Sequence, residues 1–299
     1  MRVLVSGSSG LVGSVLLTLL DARGIASSRL VRRRSDVGQA DISWDPETGA
    51  IDRDHLDGFD AVVHLAGENI AAGRWTEKQK HRIRSSRVEG TRFLCHALAR
   101  LEQPPGVLVC ASATGFYGDR GTEWLDESAS PGNGFLSEVC QAWEQAADPA
   151  REAGIRVVNL RFGIVLSAAG GALAKMLSPF RFGLGGRVGS GRQYWSWISI
   201  EDVVEVICQS LSDRSLVGPV NTVSPNPVTN SEFTRALGKV LRRPTVMPLP
   251  APMARLVLGQ MADELLLASA RVRPSRLSEV GYRFRHPELE PAIQAALGR

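Results

Sequence analysis

The opening stretch MRVLVSGSSGLVGSVLLTLL constrains the fold more tightly than any other part of the chain. Residues 2–6 form a short apolar, β-branched run that stops at Gly7, and from Leu11 the apolar residues Leu11, Val15, Leu16, Leu19 and Leu20 recur at helical spacing. That pattern predicts a strand, a glycine turn and a helix. Gly7, Gly10 and Gly13 make the turn a G-x-x-G-x-x-G sequence. The first glycine permits a tight bend, the second admits a phosphate against the backbone, and the third lets the helix pack on the strand. Ser9, Gly10, Leu11, Val12 and Gly13 then open the helix, whose free N–H groups and positive dipole end suit a pyrophosphate. A glycine triplet alone is as often a plain turn. Here a strand precedes it, a helix follows, and a second strand candidate, SSRLV, ends at Val31.

After such a second strand, a chain that binds NAD usually carries Asp or Glu for the ribose hydroxyls. This chain has Arg32, Arg33 and Arg34 instead. Guanidinium forks match a 2′-phosphate that a carboxylate would repel, so the expected cofactor is NADP in preference to NAD. A solvated basic turn is the competing reading of the same residues.

Further strands are expected over 59–67, 105–118 and 156–166, with helices over 76–101 and 136–153 between them. Apolar strands alternating with helices predict an α/β fold, a Rossmann-type doubly wound parallel sheet whose ligands collect at the carboxyl ends of the strands. A chain of 299 residues, 43% hydrophobic and 22% charged, can bury the core this requires. The proline-rich RRPTVMPLPAPMARLVLGQ sets a boundary: residues 1–247 form an NAD(P)-binding domain with its substrate lobe, and 248–299 a small C-terminal helical domain.

The ordered series of G-x-x-G-x-x-G, HLAG, VEGT, the strand end at Ser112 and SWISIEDVVEVI resembles the extended short-chain dehydrogenase/reductase family, of the sugar-nucleotide epimerase type. The longer blocks LAGENIAAGRWTEKQKHRIRSSRVEGT, GFLSEVCQAWE, GLGGRVGSGRQYWSWISIEDV and RVRPSRLSEVGYRFRHPEL resemble one branch of it. Its members are nucleoside-diphosphate-sugar epimerase-like proteins with a small C-terminal domain of unknown function. The resemblance implies cofactor contacts at Leu65, Ala66, Gly67, Arg87, Ala111 and Phe162, as well as at the glycine turn. It also implies oxidoreductase or isomerase chemistry on a small, sugar-nucleotide-like anion, and pairing of two copies through helices 76–101 and 136–153.

In the broad family a serine orients the substrate, and the tyrosine of a Tyr-x-x-x-Lys pair moves the proton. Ser112 matches the serine, but with AWEQ as the register marker the tyrosine falls on Leu136 and the lysine on Cys140. Leucine has no proton to give, and neutral cysteine no charge. Glu68, Tyr117 and Cys140 are the candidates to take over the acid role, beside Ser112; Tyr117 as packed aromatic and Cys140 as small buried hydrophobe are the competing readings. Arg87 stands where the broad family has Asn, and its guanidinium supplies the missing lysine's charge or bridges to Glu68. A non-catalytic, NADP(H)-dependent sensor is the alternative to an enzyme.

The segment FRFGLGGRVGSGRQYWSWISIEDV is expected to face an anionic, partly planar ligand, with Thr114, Arg161, Arg187, Gln193, Trp195 and Trp197 as substrate contacts. A rigid loop with tryptophans filling a gap is the competing reading, and helix capping accounts for Asp202. Cys95, Cys110, Cys140 and Cys208 are far apart, which suggests neither disulfides nor a metal site, and a reducing, cytoplasmic setting. Basic and acidic residues are interspersed, so no nucleic-acid partner is expected. No stretch reads as a signal peptide, a membrane span or a membrane-surface helix with a basic face.

Overall fold

A computed structural model of the chain describes residues 1–32, 41–46, 48–52 and 55–299. It begins with β1 (Arg2–Ser6), α1 (Leu11–Ala22), β2 (Ala26–Val31), β3 (Ile42–Asp45), β4 (Ala50–Ile51), β5 (Ala61–His64) and α2 (Glu77–Leu98). There follow β6 (Val107–Ala113), a 3-10 turn over Thr114–Tyr117, β7 (Trp124–Leu125), α3 (Phe135–Gln145), α4 (Asp148–Glu152), β8 (Arg156–Phe162), β9 (Ile164–Leu166) and α5 (Gly171–Arg181). Next come β10 (Tyr194–Trp195), β11 (Trp197–Ser199), α6 (Ile200–Ser212), β12 (Gly218–Thr222), β13 (Val228–Thr229) and α7 (Asn230–Leu241). The last elements are α8 (Ala251–Leu258), α9 (Gln260–Ala262), a π-helical turn over Asp263–Leu267, β14 (Arg271–Val272), α10 (Ser275–Glu279) and α11 (Leu289–Ala296). Two compact units interleave in sequence: Met1–Ser112, Val139–Leu160 and Val204–Pro219 form the first, and Ala113–Glu138, Arg161–Val203 and Val220–Arg299 the second.

The first unit is built on the eight-stranded sheet, ordered β12-β8-β6-β5-β1-β2-β3-β4. β1 pairs in parallel with β2 on one side and β5 on the other, β5 pairs in parallel with β6, and the two-residue β4 is antiparallel to β3. This is the doubly wound, Rossmann-type arrangement. The winding reverses direction at β1, which opens a crevice at its carboxyl end. All four residues of β5 and the first six of β6 are buried, as strands covered on both faces must be, and this explains why they read as unbroken apolar runs. Leu4, Leu30, Val62, Leu94, Leu98, Leu108 and Val157 form the core here.

Two long elements expected from sequence are divided. The 136–153 helix breaks after Gln145, because Pro149 takes the first turn of α4, where its missing N–H costs nothing. The 156–166 strand divides at Gly163, where a Cβ would lie 2.6 Å from the Ser196 carbonyl oxygen.

In the second unit Leu166, Leu177, Phe180, Trp197, Phe233 and Ile293 belong to a separate apolar core. The expected capping box opens α7: Glu232 N–H donates to Thr229 Oγ1 at 3.3 Å, and Thr229 N–H to Glu232 Oε2 at 2.7 Å. Asp202 does more than favour a helix start. Its buried carboxylate accepts the Ser199 hydroxyl at 2.7 Å and the backbone N–H groups of Arg285 at 2.7 Å and His286 at 3.1 Å, fastening the C-terminal loop.

Candidate functional site

The glycine turn follows β1 as the spacing predicts, and each glycine is needed for a different reason. Gly7 has φ +68°, and a Cβ on it would lie 2.6 Å from the Leu65 carbonyl carbon and 2.7 Å from the Ala66 nitrogen. Leu65 and Ala66 are there because the β1–β5 register sets Ser6 beside His64. A Cβ on Gly13 would come within 2.3 Å of the Gly7 oxygen, so the third glycine seats α1 on the turn. Gly10 is under less pressure: its Cβ would stand 3.2 Å from the Gly7 oxygen.

Gly10 is also the N-cap of α1, with no side-chain cap and no acidic residue in the first turn. The first N–H groups of the helix and its positive dipole end therefore lack an internal partner. Backbone donors, no Cβ in the way and no competing carboxylate are what a dinucleotide pyrophosphate requires, so the residues present fit that group. Ser9 is exposed, and Leu11 and Val12 are half-buried beside it. Arg32 is exposed just past β2, and pairing of Leu30 with Ser6 brings it to the same end of the sheet as Gly7. Arg33 and Arg34 lie outside the described residues.

At the carboxyl ends of β5 and β6 the first unit gathers several of the expected residues. Pairing of His64 with Cys110 sets Leu65 and Ala66 alongside Ala111 and Ser112. The Ser112 hydroxyl donates to Glu144 Oε1 at 2.7 Å, tying the end of β6 to α3. Glu144 is a site residue that the sequence reading used only as a register marker. Arg87, on α2, lies over the Trp143 ring with 5.0 Å from guanidinium carbon to centroid, and its Nη1 donates to the Ile83 carbonyl at 3.2 Å. A Cβ on Gly67 would come within 3.3 Å of that guanidinium carbon. Burial lowers the Arg87 pKa, while Cys140 and Glu68 are near enough to act in the opposite sense. A cation thus sits in electrostatic reach of position 140, where the resemblance leads one to expect lysine. Glu68 is half-buried, with its backbone N–H on Ser86 Oγ at 3.0 Å.

A buried polar chain behind these residues went unread in the sequence. The Ser6 hydroxyl lies 2.6 Å from His64 Nδ1, His64 Nε2 lies 3.0 Å from Thr91 Oγ1, and Trp143 Nε1 donates to Thr91 Oγ1 at 2.9 Å. Burial lowers the His64 pKa to about 4, so the ring is neutral and has one nitrogen to donate and one to accept. A lone His ending a strand gives no signal of this. The chain links β1, β5, α2 and α3, and fixes the indole that Arg87 rests on.

The remaining expected residues lie in the second unit. Tyr117 is buried; its hydroxyl accepts from Arg161 Nη1 at 2.9 Å and has Asn221 Oδ1 at 2.7 Å and the Asp126 carbonyl at 2.9 Å as acceptors. Burial raises its pKa to about 12. Buried Arg161 stacks on Phe116, 3.5 Å from its ring centroid. Trp195 and Trp197 are core residues that donate their indole N–H groups to the carbonyls of Leu266 and Asn226, so their ring faces are spent on packing. Gln193 donates to the carbonyls of Val188 and Leu266 at 3.0 and 2.9 Å. Arg187 is exposed, Thr114 is half-buried in the 3-10 turn, and Phe162 is the half-buried last residue of β8. Glu264, from the π-helical turn, accepts the N–H groups of Phe135 and Leu136 at 3.1 and 2.7 Å and caps α3.

All four cysteines are buried and none forms a disulfide. Among the described residues no group of three His, Cys, Asp or Glu side chains is placed to hold a metal, and no helix is long and apolar enough to cross a membrane.

Residues 3–221 match the NAD dependent epimerase/dehydratase family, and residues 249–296 match a domain of unknown function, DUF1731. The chain is 43% identical over 297 residues to the epimerase family protein Mb2239 of Mycobacterium bovis, covering 99% of this chain and 98% of that protein. The crystal structure of human epimerase family protein SDR39U1 with NADPH aligns at a TM-score of 0.91 and 36% identity, covering both chains fully. That of the nucleoside-diphosphate sugar epimerase from Corynebacterium glutamicum aligns at 0.83 and 37%, covering all of this chain and 58% of that one.

Proposed function

The chain belongs to the NAD dependent epimerase/dehydratase family, and from that membership we propose that it binds NADP(H) at the first unit's glycine turn and acts as an oxidoreductase or isomerase on a small, sugar-nucleotide-like anion. One observation carries the reading. The Gly7, Gly10 and Gly13 cradle opens onto an uncapped helix N-terminus, where any Cβ on Gly7 or Gly13 would strike backbone. The NADPH in the human SDR39U1 structure supports the choice of dinucleotide. Bound there, the nicotinamide supplies or accepts a hydride. Backbone N–H groups from Gly10 to Gly13 hold the pyrophosphate, Arg32 and Arg33 meet the 2′-phosphate, and Arg87 provides the cation where Cys140 replaces lysine. Ser112 and Glu68 offer the polar groups nearest the reacting end, and proton transfer proceeds without a Tyr-x-x-x-Lys pair.

A second reading, a non-catalytic NADP(H)-dependent sensor, is favoured by a different observation. The Ser112 hydroxyl proton is directed at Glu144, and Tyr117 is held by Arg161 and Asn221, so neither points a proton at an open site. Titration with NADPH and NADH separates cofactor from activity. Arg32→Asp with Arg33→Asp is expected to weaken NADPH selectively, and equal loss of both nucleotides refutes the 2′-phosphate role. Nicotinamide absorbance against a panel of sugar nucleotides, with analysis of the sugars for isomerised product, then decides between enzyme and sensor: oxidation by any of them, or any isomerised sugar, establishes turnover.

A further inference from the structure

Ten large apolar side chains are exposed among the described residues, and seven of them cluster in two segments of the second unit. Phe182, Leu184, Val246 and Met247 stand on two loops, and Met253, Leu256 and Val257 on α8, all between 54% and 79% exposed. The loops lie side by side: Met247 N–H donates to the Gly185 carbonyl at 3.2 Å, Leu249 N–H to Arg187 at 2.8 Å, and Arg243 Nε to the Arg181 carbonyl at 2.9 Å. α8 begins two residues after Leu249, and Met253, Leu256 and Val257 are spaced to share one of its faces. The patch is therefore continuous along the chain and across the loop pair.

Within the two segments the charge has one sign. Residues 181–192 and 242–258 contain Arg181, Arg187, Arg192, Arg242, Arg243 and Arg255, and no Asp or Glu. Arg255 is matched by Asp263 at 2.8 Å. The other five are exposed, and among the described residues none of them forms an ion pair. Protruding apolar side chains interspersed in sequence with exposed arginines suit a surface that dips into a headgroup layer while its cations meet anionic lipid.

We propose that this face, formed by the 181–192 loop, the 242–250 loop and α8, docks on an anionic lipid bilayer surface. A second copy of the chain is a poor occupant, since a two-fold contact sets like charge against like. A lipid surface is favoured over an acidic protein because the apolar side chains project outward one by one, with more than half their area in solvent, rather than line a groove. Since two segments some sixty residues apart build the patch, no single stretch of sequence reads as a membrane-surface helix. The proposal is independent of the cofactor reading.

The test is co-sedimentation of the full chain with phosphatidylcholine vesicles, with and without phosphatidylserine. Binding is expected only with phosphatidylserine and is expected to fall in high salt. Arg242→Ala with Arg243→Ala should weaken partitioning roughly 25-fold, about fivefold for each arginine. Phe182→Ser with Leu256→Ser should weaken it about tenfold or more. All four positions are exposed, and unchanged urea midpoints establish that the variants fold. The proposal is overturned if vesicles with phosphatidylserine do not sediment the protein, or if either double variant binds as wild type does. Capture by polyglutamate that ignores the apolar variant would assign the arginines to an acidic partner instead. A dimer in sedimentation equilibrium that Phe182→Ser with Leu256→Ser converts to monomer, without vesicle binding, would assign the patch to a second copy.

Discussion

The Ser112 hydroxyl donates its hydrogen to Glu144 Oε1 at 2.7 Å, joining the carboxyl end of β6 to α3 one helical turn beyond Cys140. Ser112 is buried, so losing either partner leaves the other without its bond. A hydrogen bond to a charged group contributes about 1.5–3 kcal/mol. Ser112→Ala should therefore lower unfolding free energy by about that amount, and Glu144→Gln, whose amide oxygen still accepts, by less. Urea unfolding of Ser112→Ala, Glu144→Ala and the double variant measures the coupling, and additive losses would show that the bond contributes nothing in solution.

Arg87 holds its charge beside Gly67 and in reach of Cys140 and Glu68. If it replaces the lysine cation in holding the dinucleotide, Arg87→Met should weaken NADPH binding about tenfold or more, one charge-assisted hydrogen bond. Methionine preserves much of the packing on Trp143, and Arg87→Lys should recover part of the affinity. Fluorescence titration of bound NADPH reads all three proteins, and wild-type affinity in Arg87→Met would take Arg87 out of the cofactor site.

The three glycines should fail differently. Gly7→Ala forces φ +68° and a 2.6 Å approach to Leu65, and Gly13→Ala a 2.3 Å approach to Gly7, so both should destabilise the fold by more than about 1 kcal/mol. Gly10→Ala meets the Gly7 oxygen at 3.2 Å, a tight contact that a shift of a few tenths of an ångström relieves, and places a methyl group where the proposed phosphate would approach. It should lose NADPH affinity with a smaller fall in melting temperature than Gly7→Ala or Gly13→Ala. Equal affinity in Gly10→Ala and wild type would show that the phosphate does not approach at Gly10.

How much of this was legible depended on whether the signal was local. The strand, turn and helix around Gly7 were readable because each rests on contacts within a few residues, and the Thr229–Glu232 capping box likewise spans three. The break before α4 was marked by Pro149, yet the apolar period ran through it and overrode the proline. Trp195 and Trp197 show the opposite case, in which the competing reading, tryptophans filling a gap, agrees with their burial. An aromatic in a glycine-rich loop looks ligand-facing, but the unit needed large side chains for its core. The pairing of Tyr117 with Asn221 crosses 104 residues, and that of Ser6 with His64 crosses 58. No pattern within a single chain encodes such partners, and they decide which hydroxyls remain open to a ligand.

His64 makes stability depend on pH in a calculable direction. Burial lowers its folded pKa to about 4, below the ordinary 6.5, and its two ring nitrogens are committed to Ser6 and Thr91. Between those values the unfolded chain takes up a proton that the folded chain refuses, so stability falls as the pH falls. The contribution is intact above pH 6.5, shrinks from there to pH 4, and amounts to about 3 kcal/mol at its limit, since each pKa unit corresponds to about 1.4 kcal/mol. His64→Leu cannot titrate. It should be less stable than wild type at neutral pH, because Ser6 and Thr91 lose their buried partner, and the gap should narrow as the solution is acidified. Urea midpoints of both proteins from pH 7 to pH 4.5 give the difference directly, with the other carboxylates common to both. A gap that stays constant across that range would mean that the imidazole titrates equally in the folded and unfolded chains, and that the polar chain tolerates its charge.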